Sequence, residues 1–190
     1  MTYECFEVTN VGKVAHVQMC RGEDLNTMIP SFWRELPEII NDISDEGKAR
    51  AIVLSSTGRH FCAGMDLAVF TSGGLSESQR AERGRQNAVT RSGALHLQES
   101  FTCLERARMP VLAAIQGGCV GGAVDMVTAA DMRYATSDAW FCIQEINIGM
   151  TADVGTLQRL PKLVPEGVVR ELAYTGRRMS AERAYEVGLV

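Results

Sequence analysis

GGCVGGAVDMVTAADMRY, residues Gly117 to Tyr134, places four glycines within six residues and follows them with an acid, Asp125, in otherwise apolar sequence. The preceding VLAAIQ predicts a strand and the following VGGAVDMVTAAD predicts a helix, so the glycines form a strand-to-helix turn. The first four N–H groups of a helix have no partner within it, and the helix dipole favours negative charge there. Glycine lets a ligand approach this backbone closely. The stretch therefore predicts a turn that can bind an oxyanion, with Asp125 beside it.

Of two other interpretations of the glycines, the pattern excludes one and leaves one open. A dinucleotide-binding turn needs GxGxxG directly after a strand and an acid about 20 residues further on, and the GGxxGGA pattern does not fit it. The glycines could also serve only to let a helix lie close to a strand.

An oxyanion site usually needs two N–H donors about 3 Å from the oxygen, so a second turn is required. FCAGMDL, Phe61 to Leu67, supplies the candidate. It is another strand-to-helix turn, in which Ala63 and Gly64 precede an acid.

Strand and helix signals alternate along the rest of the chain. CFEVTNVGKVAHVQM predicts two strands around a turn at Asn10–Gly12, and ARAIVLSS and MRYAT predict further strands. IPSFWRELPEIINDISDEG and PEGVVRELAYTG predict helices that end at Gly47 and Gly176, and TADVGTLQRLPKL predicts another. A polar loop from Thr71 leads into a long helix that ends near Arg106. This alternation predicts an α/β fold with largely parallel strand pairing.

Composition limits the class of protein. The 190 residues suit one domain, 46% of them are apolar, and the net charge of −4 argues against nucleic-acid binding. No apolar run has the length of a membrane span, and the N-terminal residues do not form a secretory signal. Six cysteines stand singly among three histidines, which predicts no metal site and reduced thiols in a cytoplasmic protein. Targeting to an organelle by a signal at a later C-terminus stays open.

RHFCAGMDL, followed about fifty residues later by AAIQGGCVGGAVDMVTAADMRYAT, resembles the enoyl-CoA hydratase/isomerase (crotonase) superfamily. The resemblance implies one crotonase-like core domain over residues 1–190, an α/β ββα spiral with two roughly perpendicular sheets and without the family's C-terminal helices. It implies an acyl-CoA substrate, no separate cofactor, and a homotrimer or dimer of trimers. The N–H groups of Met65 and Gly122 would hold the thioester oxygen. The backbone that would follow the pantetheine arm of CoA comprises Ala63, Gly64, Met65, Asp66 and Leu67.

Three acids specify the member of the family that the chain resembles. Asp125, Glu145 and Asp153 are spaced by 20 and 8 residues, and CIQEINIGMTADVGTLQRLPKLV is similar to Δ3,5-Δ2,4-dienoyl-CoA isomerases. The resemblance implies isomerisation of a 3,5-dienoyl-CoA to a 2,4-dienoyl-CoA in fatty-acid beta-oxidation. Glu145 would take a proton from the alpha carbon, and Asp153 would deliver one at the far end of the diene. An apolar pocket would keep the donor protonated, and Asp125 would orient or tune both.

Alternatives remain for the activity and for each acid. The chain could be an enoyl-CoA hydratase, or a non-catalytic acyl-CoA-binding member of the fold. Asp125 could stabilise a helix dipole and Asp153 could cap the next helix. Four other polar residues are expected to have structural roles in turns, caps or salt links: Asp66 and Asp131 in turns or caps, His60 in a loop, and Arg159 in a salt link.

Overall fold

The computed structural model describes residues 2–66, 68 and 82–190. Within them the strands form a sheet of five and a sheet of three. The larger sheet has the order β1-β2-β3-β4-β6. Its strands are β1 Phe6–Val11, β2 Val14–Met19, β3 Ala51–Ser56, β4 Val111–Ile115 and β6 Met132–Ala135.

The first two strands form the predicted hairpin, with Gly12 in the left-handed region at φ 62° in the turn. The remaining neighbours, β2–β3, β3–β4 and β4–β6, are parallel. The prediction of largely parallel pairing is therefore confirmed. Parallel order also brings the ends of β3 and β4 to one edge, where the two glycine-containing segments follow.

The resemblance implied a second sheet, and the structure contains one, although its individual strands were not predicted from the sequence pattern. This smaller sheet contains β5 Gly118–Val120, β7 Trp140–Cys142 and β8 Met179–Ser180, in the order β5-β7-β8. Strands β5 and β7 are parallel, with Gly118 opposite Trp140, and β7 and β8 are antiparallel. The glycine stretch is thus partly a strand, and only its second half is the turn into a helix.

Helices cover and connect the sheets. They are α1 Pro30–Glu46, α2 Arg83–Arg106, α3 Gly122–Thr128, α4 Thr156–Arg159, α5 Glu166–Thr175 and α6 Ala181–Glu186. Short 3-10 turns span Gly22–Asp24, Glu145–Ile148 and Leu160–Lys162. The predicted ends of α1 and α5 at Gly47 and Gly176 are confirmed, because both glycines take left-handed conformations. No helix of the described residues is long and apolar enough to cross a bilayer.

The single helix predicted over TADVGTLQRLPKL is wrong. The backbone before Thr156 is irregular, α4 ends at Arg159, and a 3-10 turn containing Pro161 follows. Gly155 precedes α4 with φ 132°, a conformation that a helix cannot continue through. The segment that carries Asp153 is therefore a loop. The predicted polar loop from Thr71 lies outside the described residues through residue 81.

An aromatic cluster joins the helices to the larger sheet. The ring of Phe32 on α1 lies 5.1 Å from Phe6 and 6.4 Å from Phe101 on α2, and Trp33 lies 5.4 Å from Phe101, centroid to centroid. Burying side chains of this size contributes about 1.5–3 kcal/mol each. The cluster fixes α1 and α2 beside the strand ends that carry the candidate site.

Candidate functional site

Two chain segments lie side by side where the candidate site forms. The N–H of Cys62 donates to Gly118 O at 3.1 Å, and the N–H of Val120 donates to Cys62 O at 3.1 Å. The segment after β3 therefore runs parallel to β5, and Cys62 and Cys119 form an isolated bridge. As a result, the turn after Cys62 and the turn after β5 are held next to each other.

The contact between these turns depends on a bare backbone. Gly64 has φ 88°, and a Cβ atom on it would lie 2.7 Å from Val120 O and 3.6 Å from Gly122 N. A side chain at Gly64 would therefore collide with the backbone of the glycine stretch. Sequence reasoning linked Gly64 to the approach of a ligand, and the structure shows that its lack of a side chain also lets the two turns touch.

The two amides predicted to bind the thioester oxygen have no acceptor within the described part of the chain. Gly122 begins α3, so its N–H is outside the helical hydrogen-bond ladder. The neighbours of Met65 use their N–H groups: Gly64 N donates to Cys62 Sγ at 3.4 Å and Asp66 N donates to Met28 O at 3.2 Å. Met65 N itself donates to no described residue. The two unused donors therefore lie on the two turns that Gly64 brings together.

Both turns line one cleft of about 400 Å³, which we call the cleft. Met65 and Gly122 contribute to its wall, together with Glu145 and Asp153. Apolar surface surrounds much of it, so a hydrocarbon chain can lie beside the acids. The structure thus brings together four of the five residues predicted to do chemistry. Asp125 does not line the cleft.

Glu145 starts the 3-10 turn that follows β7, and its carboxyl group lies against the glycine turn. Its Oε1 is 3.3 Å from the position a Cβ on Gly121 would occupy, and its Oε2 is buried without a hydrogen-bond partner among the described residues. Burial raises the pKa of Glu145 from its ordinary 4.5 to about 7, and the charges of Asp125 and Asp153 add to the rise. Glu145 can therefore exchange a proton near neutral pH.

Asp125 is fully buried behind the cleft, in the first turn of α3. Its Oδ1 accepts a hydrogen bond of 2.6 Å from the N–H of Thr156, and its Oδ2 has no partner among the described residues. Burial raises the pKa of Asp125, against the lowering effect of the hydrogen bonds from Thr156, and the charge of Asp153 adds to the rise. The carboxyl group thus satisfies the start of α4.

Asp153 lines this largely apolar cleft but is exposed, so the burial expected of the proton donor is not found at Asp153. The predicted alternative of an N-cap is wrong, because Gly155 is the N-cap and Asp125 binds the N–H of Thr156. The backbone O of Asp153 accepts a hydrogen bond of 2.8 Å from Nε2 of Gln98 on α2. The burial that raises a carboxyl pKa is found at Glu145 instead.

The predicted structural roles of nearby polar residues are confirmed. Arg159 donates to Glu105 Oε2 at 2.7 Å, and Asp131 Oδ2 accepts from Val111 N at 2.8 Å. Asp66 accepts from Ala68 N at 2.9 Å, as a turn residue does, and His60 Nδ1 accepts from Gly118 N at 2.9 Å.

The predicted pantetheine-binding backbone is described in part. Ala63, Gly64 and Met65 line the cleft, whereas Asp66 does not. Leu67 lies outside the described residues.

Sequence reasoning missed a network that holds the turn carrying Glu145. Nδ2 of Asn147 donates to Gln144 Oε1 at 3.1 Å and to Gly176 O at 3.3 Å, and Cys142 Sγ also donates to both acceptors at 3.3 Å. These bonds tie the turn to the end of α5. No motif marks Asn147, and only the position of Gly176 as a helix end was readable from the sequence.

Comparison with known proteins identifies the class of protein to which the chain belongs. A profile of the enoyl-CoA hydratase/isomerase family matches residues 9–190. The chain therefore belongs to the enoyl-CoA hydratase/isomerase family, and the resemblance inferred from its motifs is confirmed.

The similar relatives include dienoyl-CoA isomerases. The chain is 44% identical, over its full length, to the mitochondrial Delta(3,5)-Delta(2,4)-dienoyl-CoA isomerase of Homo sapiens, and covers 58% of that protein. It is 38% identical to the peroxisomal Delta(3,5)-Delta(2,4)-dienoyl-CoA isomerase of Arabidopsis thaliana, with 100% of this chain and 68% of that protein covered. The chain thus spans less than two thirds of the human relative. Both names specify organelles, which does not fit a plain cytoplasmic location but agrees with the organellar targeting that the sequence left open.

Solved structures confirm the crotonase-like fold. An enoyl-CoA hydratase/isomerase from Mycobacterium paratuberculosis superposes with a TM-score of 0.85 at 27% identity, covering 98% of this chain and 71% of the other. An enoyl-CoA hydratase from Bacillus anthracis gives a TM-score of 0.83 at 30% identity, with 98% of this chain and 69% of the other covered.

Proposed function

We propose that the protein carrying this chain isomerises a 3,5-dienoyl-CoA to a 2,4-dienoyl-CoA in fatty-acid beta-oxidation. The observation that carries the proposal is that one cleft combines two unused backbone donors, on Met65 and Gly122, with two carboxyl groups, on Glu145 and Asp153. The names of the relatives support the same reaction.

In this proposal the N–H groups of Met65 and Gly122 form the oxyanion hole. They bind the thioester oxygen, which becomes negative as the alpha carbon loses a proton. Preorganised donors of this kind stabilise the developing charge without a cost for reorganisation, and removing one such donor costs about 100- to 1000-fold in rate. The dipole of α3 adds to the field at the same oxygen, because Gly122 is its first residue.

Two proton transfers then complete the reaction. The C–H bond at the alpha carbon breaks, its proton goes to the Glu145 carboxylate, and its electron pair spreads over the conjugated chain to the thioester oxygen. Asp153 then donates a proton to the far carbon, so a new C–H bond forms there and both double bonds lie one place nearer the thioester. A base with a pKa of about 7 is well matched to removing a proton at neutral pH.

Asp153 is proposed as the donor because of its place in the cleft. It is exposed, and an acyl chain bound in the cleft would cover it and exclude water.

Asp125 acts through other groups in this proposal. It lies outside the cleft, raises the pKa of Glu145 by its charge, and holds the chain just after Asp153 through Thr156. Asp125 is therefore a positioning residue.

The remaining features of the proposal concern the whole protein. The backbone of residues 63–67 would follow the pantetheine arm, and the substrate would bring CoA with no separate cofactor. One core domain over residues 1–190 is supported by a buried cluster that extends from Cys5 to Leu189. We also propose assembly as a homotrimer or a dimer of trimers, as the resemblance to the family implies.

The direct test is to supply purified protein with a 3,5-dienoyl-CoA and follow the absorbance of the conjugated 2,4-dienoyl thioester. We expect this absorbance to grow, and little water addition to crotonyl-CoA. Asp153→Asn should lower the rate by at least 100-fold, whereas Asp138→Asn, which changes an exposed aspartate outside the cleft, should not. Hydration of crotonyl-CoA without isomerisation would identify a hydratase, and full activity of Asp153→Asn would remove Asp153 from the mechanism.

A further inference from the structure

One end of the cleft carries an arginine that the proposed reaction does not use. Arg178 directly precedes β8 and lines the cleft, and its guanidinium carbon lies 3.9 Å from the centroid of the Trp140 indole. Within residues 2–66, 68 and 82–190, Arg178 forms neither a hydrogen bond nor an ion pair. The stacked guanidinium therefore keeps its N–H donors available at its edges.

The aromatic support of Arg178 is itself fixed. Trp140 starts β7, and a Cβ on Gly118 would lie 2.8 Å from its ring, so the indole lies directly on the backbone of β5. The ring of His60 meets it edge-on, with centroids 6.1 Å apart. His60 is held in turn by the N–H of Gly118 at 2.9 Å. The guanidinium thus rests on a rigid platform, which lowers the entropy lost when it binds an anion.

Three residues of backbone separate this platform from Glu145. Trp140 lies against Gly118 and the Glu145 carboxyl group lies against Gly121, which are at most about 10 Å apart even in extended chain. The charges that shift the pKa of Glu145 are those of Asp125 and Asp153, at the Gly122 end. The cleft therefore has an acidic end beside the two free amides and a cationic end beside Trp140.

We propose that Arg178, stacked on Trp140, binds a phosphate group of the CoA portion of the substrate. The inference rests on the proposed function, in which an acyl-CoA lies in the cleft. A phosphate would be repelled at the acidic end and attracted at the other, and the pantetheine arm separates the phosphates of CoA from the thioester. Arginine suits this task because its planar fork matches phosphate oxygens.

The test compares CoA with 3′-dephospho-CoA, which lacks one phosphate, and with pantetheine, which lacks every phosphate together with the adenosine. Calorimetry measures the affinity of free CoA, 3′-dephospho-CoA and pantetheine for the unchanged protein and for Arg178→Met. We expect Arg178→Met to lower the affinity for CoA at least tenfold and to leave the affinity for pantetheine unchanged. If Arg178→Met also binds 3′-dephospho-CoA more weakly than the unchanged protein does, Arg178 contacts the pyrophosphate. If the two proteins bind 3′-dephospho-CoA equally, Arg178 contacts the 3′-phosphate. Arg178→Lys should lie between, because it keeps the charge but loses the fork.

Arg177→Met is the matched control. Arg177 is the adjacent residue, is exposed, pairs with Glu171 at 3.9 Å and does not line the cleft. Its substitution should leave both ligands unaffected. Equal weakening of CoA and pantetheine by Arg178→Met, or no weakening of either, would overturn the proposal.

Turnover supplies a second measurement. For Arg178→Met, KM should rise for a dienoyl-CoA but not for the dienoyl-pantetheine thioester, with kcat unchanged for both. If Arg178→Met instead loses turnover only with an acyl chain that ends in a carboxylate, Arg178 contacts the acyl end of the substrate. That result would refute its assignment to a phosphate. If the protein binds CoA in the predicted manner yet isomerises nothing, the proposed function fails while the phosphate site stands.

Discussion

The carboxylate of Asp125 accepts a hydrogen bond of 2.6 Å from the backbone N–H of Thr156, 31 positions further along the chain. This bond joins the helix that starts at the glycine turn to the helix that follows the Asp153 loop. A single buried carboxyl group therefore links the Gly122 amide, Glu145 and Asp153 through backbone and charge.

Replacing Asp125 separates its charge from its hydrogen bond. Asp125→Asn keeps the acceptor for Thr156 but removes the negative charge, so the pKa of Glu145 should fall below about 7. The acidic limb of the kcat/KM profile should move to lower pH. Asp125→Ala should instead lower the free energy of unfolding by about 1–3 kcal/mol, because it leaves a buried N–H unpaired. A pH–rate profile measures the first effect, and urea denaturation measures the second.

Asp131→Asn is the control for this experiment. Asp131 also accepts a backbone N–H, from Val111 at 2.8 Å, but lies outside the cleft. It should leave the acidic limb in place. An unmoved limb in Asp125→Asn would show that Asp125 does not tune Glu145.

The titration of Glu145 should be visible in stability. Its folded-state pKa is raised from 4.5 to about 7, so the folded state holds the proton more tightly than the unfolded state. The resulting stabilisation is present below pH 4.5 and is lost as the pH rises through 7. Relative to Glu145→Gln, which cannot titrate, the unchanged protein should lose up to about 1.4 kcal/mol of unfolding free energy per pH unit in this window. Parallel urea-derived stability curves for the two proteins would refute the raised pKa.

Gly64 should tolerate no side chain. Gly64→Ala places a Cβ 2.7 Å from Val120 O at φ 88°, which should cost about 2–4 kcal/mol of unfolding free energy and separate the two turns. Gly12→Ala is the matched control, because Gly12 has φ 62° and nothing within 4 Å. Its cost should be about 1 kcal/mol, with no effect on turnover. Similar losses in both variants would mean that Gly64 matters only for its backbone angle.

Asn147 should position Glu145 without touching substrate. Asn147→Ala removes the donor to Gln144 Oε1 and Gly176 O, so the turn carrying Glu145 should move more freely. We expect kcat to fall about tenfold with little change in KM, since a small misplacement of a catalytic group is costly. Thr175→Ala removes an exposed hydrogen bond of 2.7 Å to Glu171 O on α5 and should leave kcat unchanged. A change confined to KM would contradict the positioning role.

The backbone motifs were readable from the sequence because their glycines and following acids are local features. The strand-to-helix turns at Gly64 and Gly122 needed only turn chemistry and helix-end physics. The individual strands of the smaller sheet were not readable from the residue pattern, because strands of two or three residues are too short to show alternation.

The environments of the acids depend on packing between distant segments. Sequence reasoning expected an apolar pocket around Asp153, yet burial falls on Glu145, which lies against the glycine turn. Likewise, the helix-start role considered for Asp153 belongs to Asp125, which reaches Thr156 from another helix. Spacing along the chain identified the acids but could not reveal which carboxyl group is buried away from solvent.

The central claim is that the N–H groups of Met65 and Gly122 bind the thioester oxygen. Infrared spectroscopy of a bound saturated acyl-CoA, labelled with ¹³C at the thioester carbonyl, measures this directly. The claim predicts a C=O stretching frequency lower in the cleft than in water, and a smaller shift in Gly64→Ala. A bound carbonyl that vibrates at or above its frequency in water would contradict it.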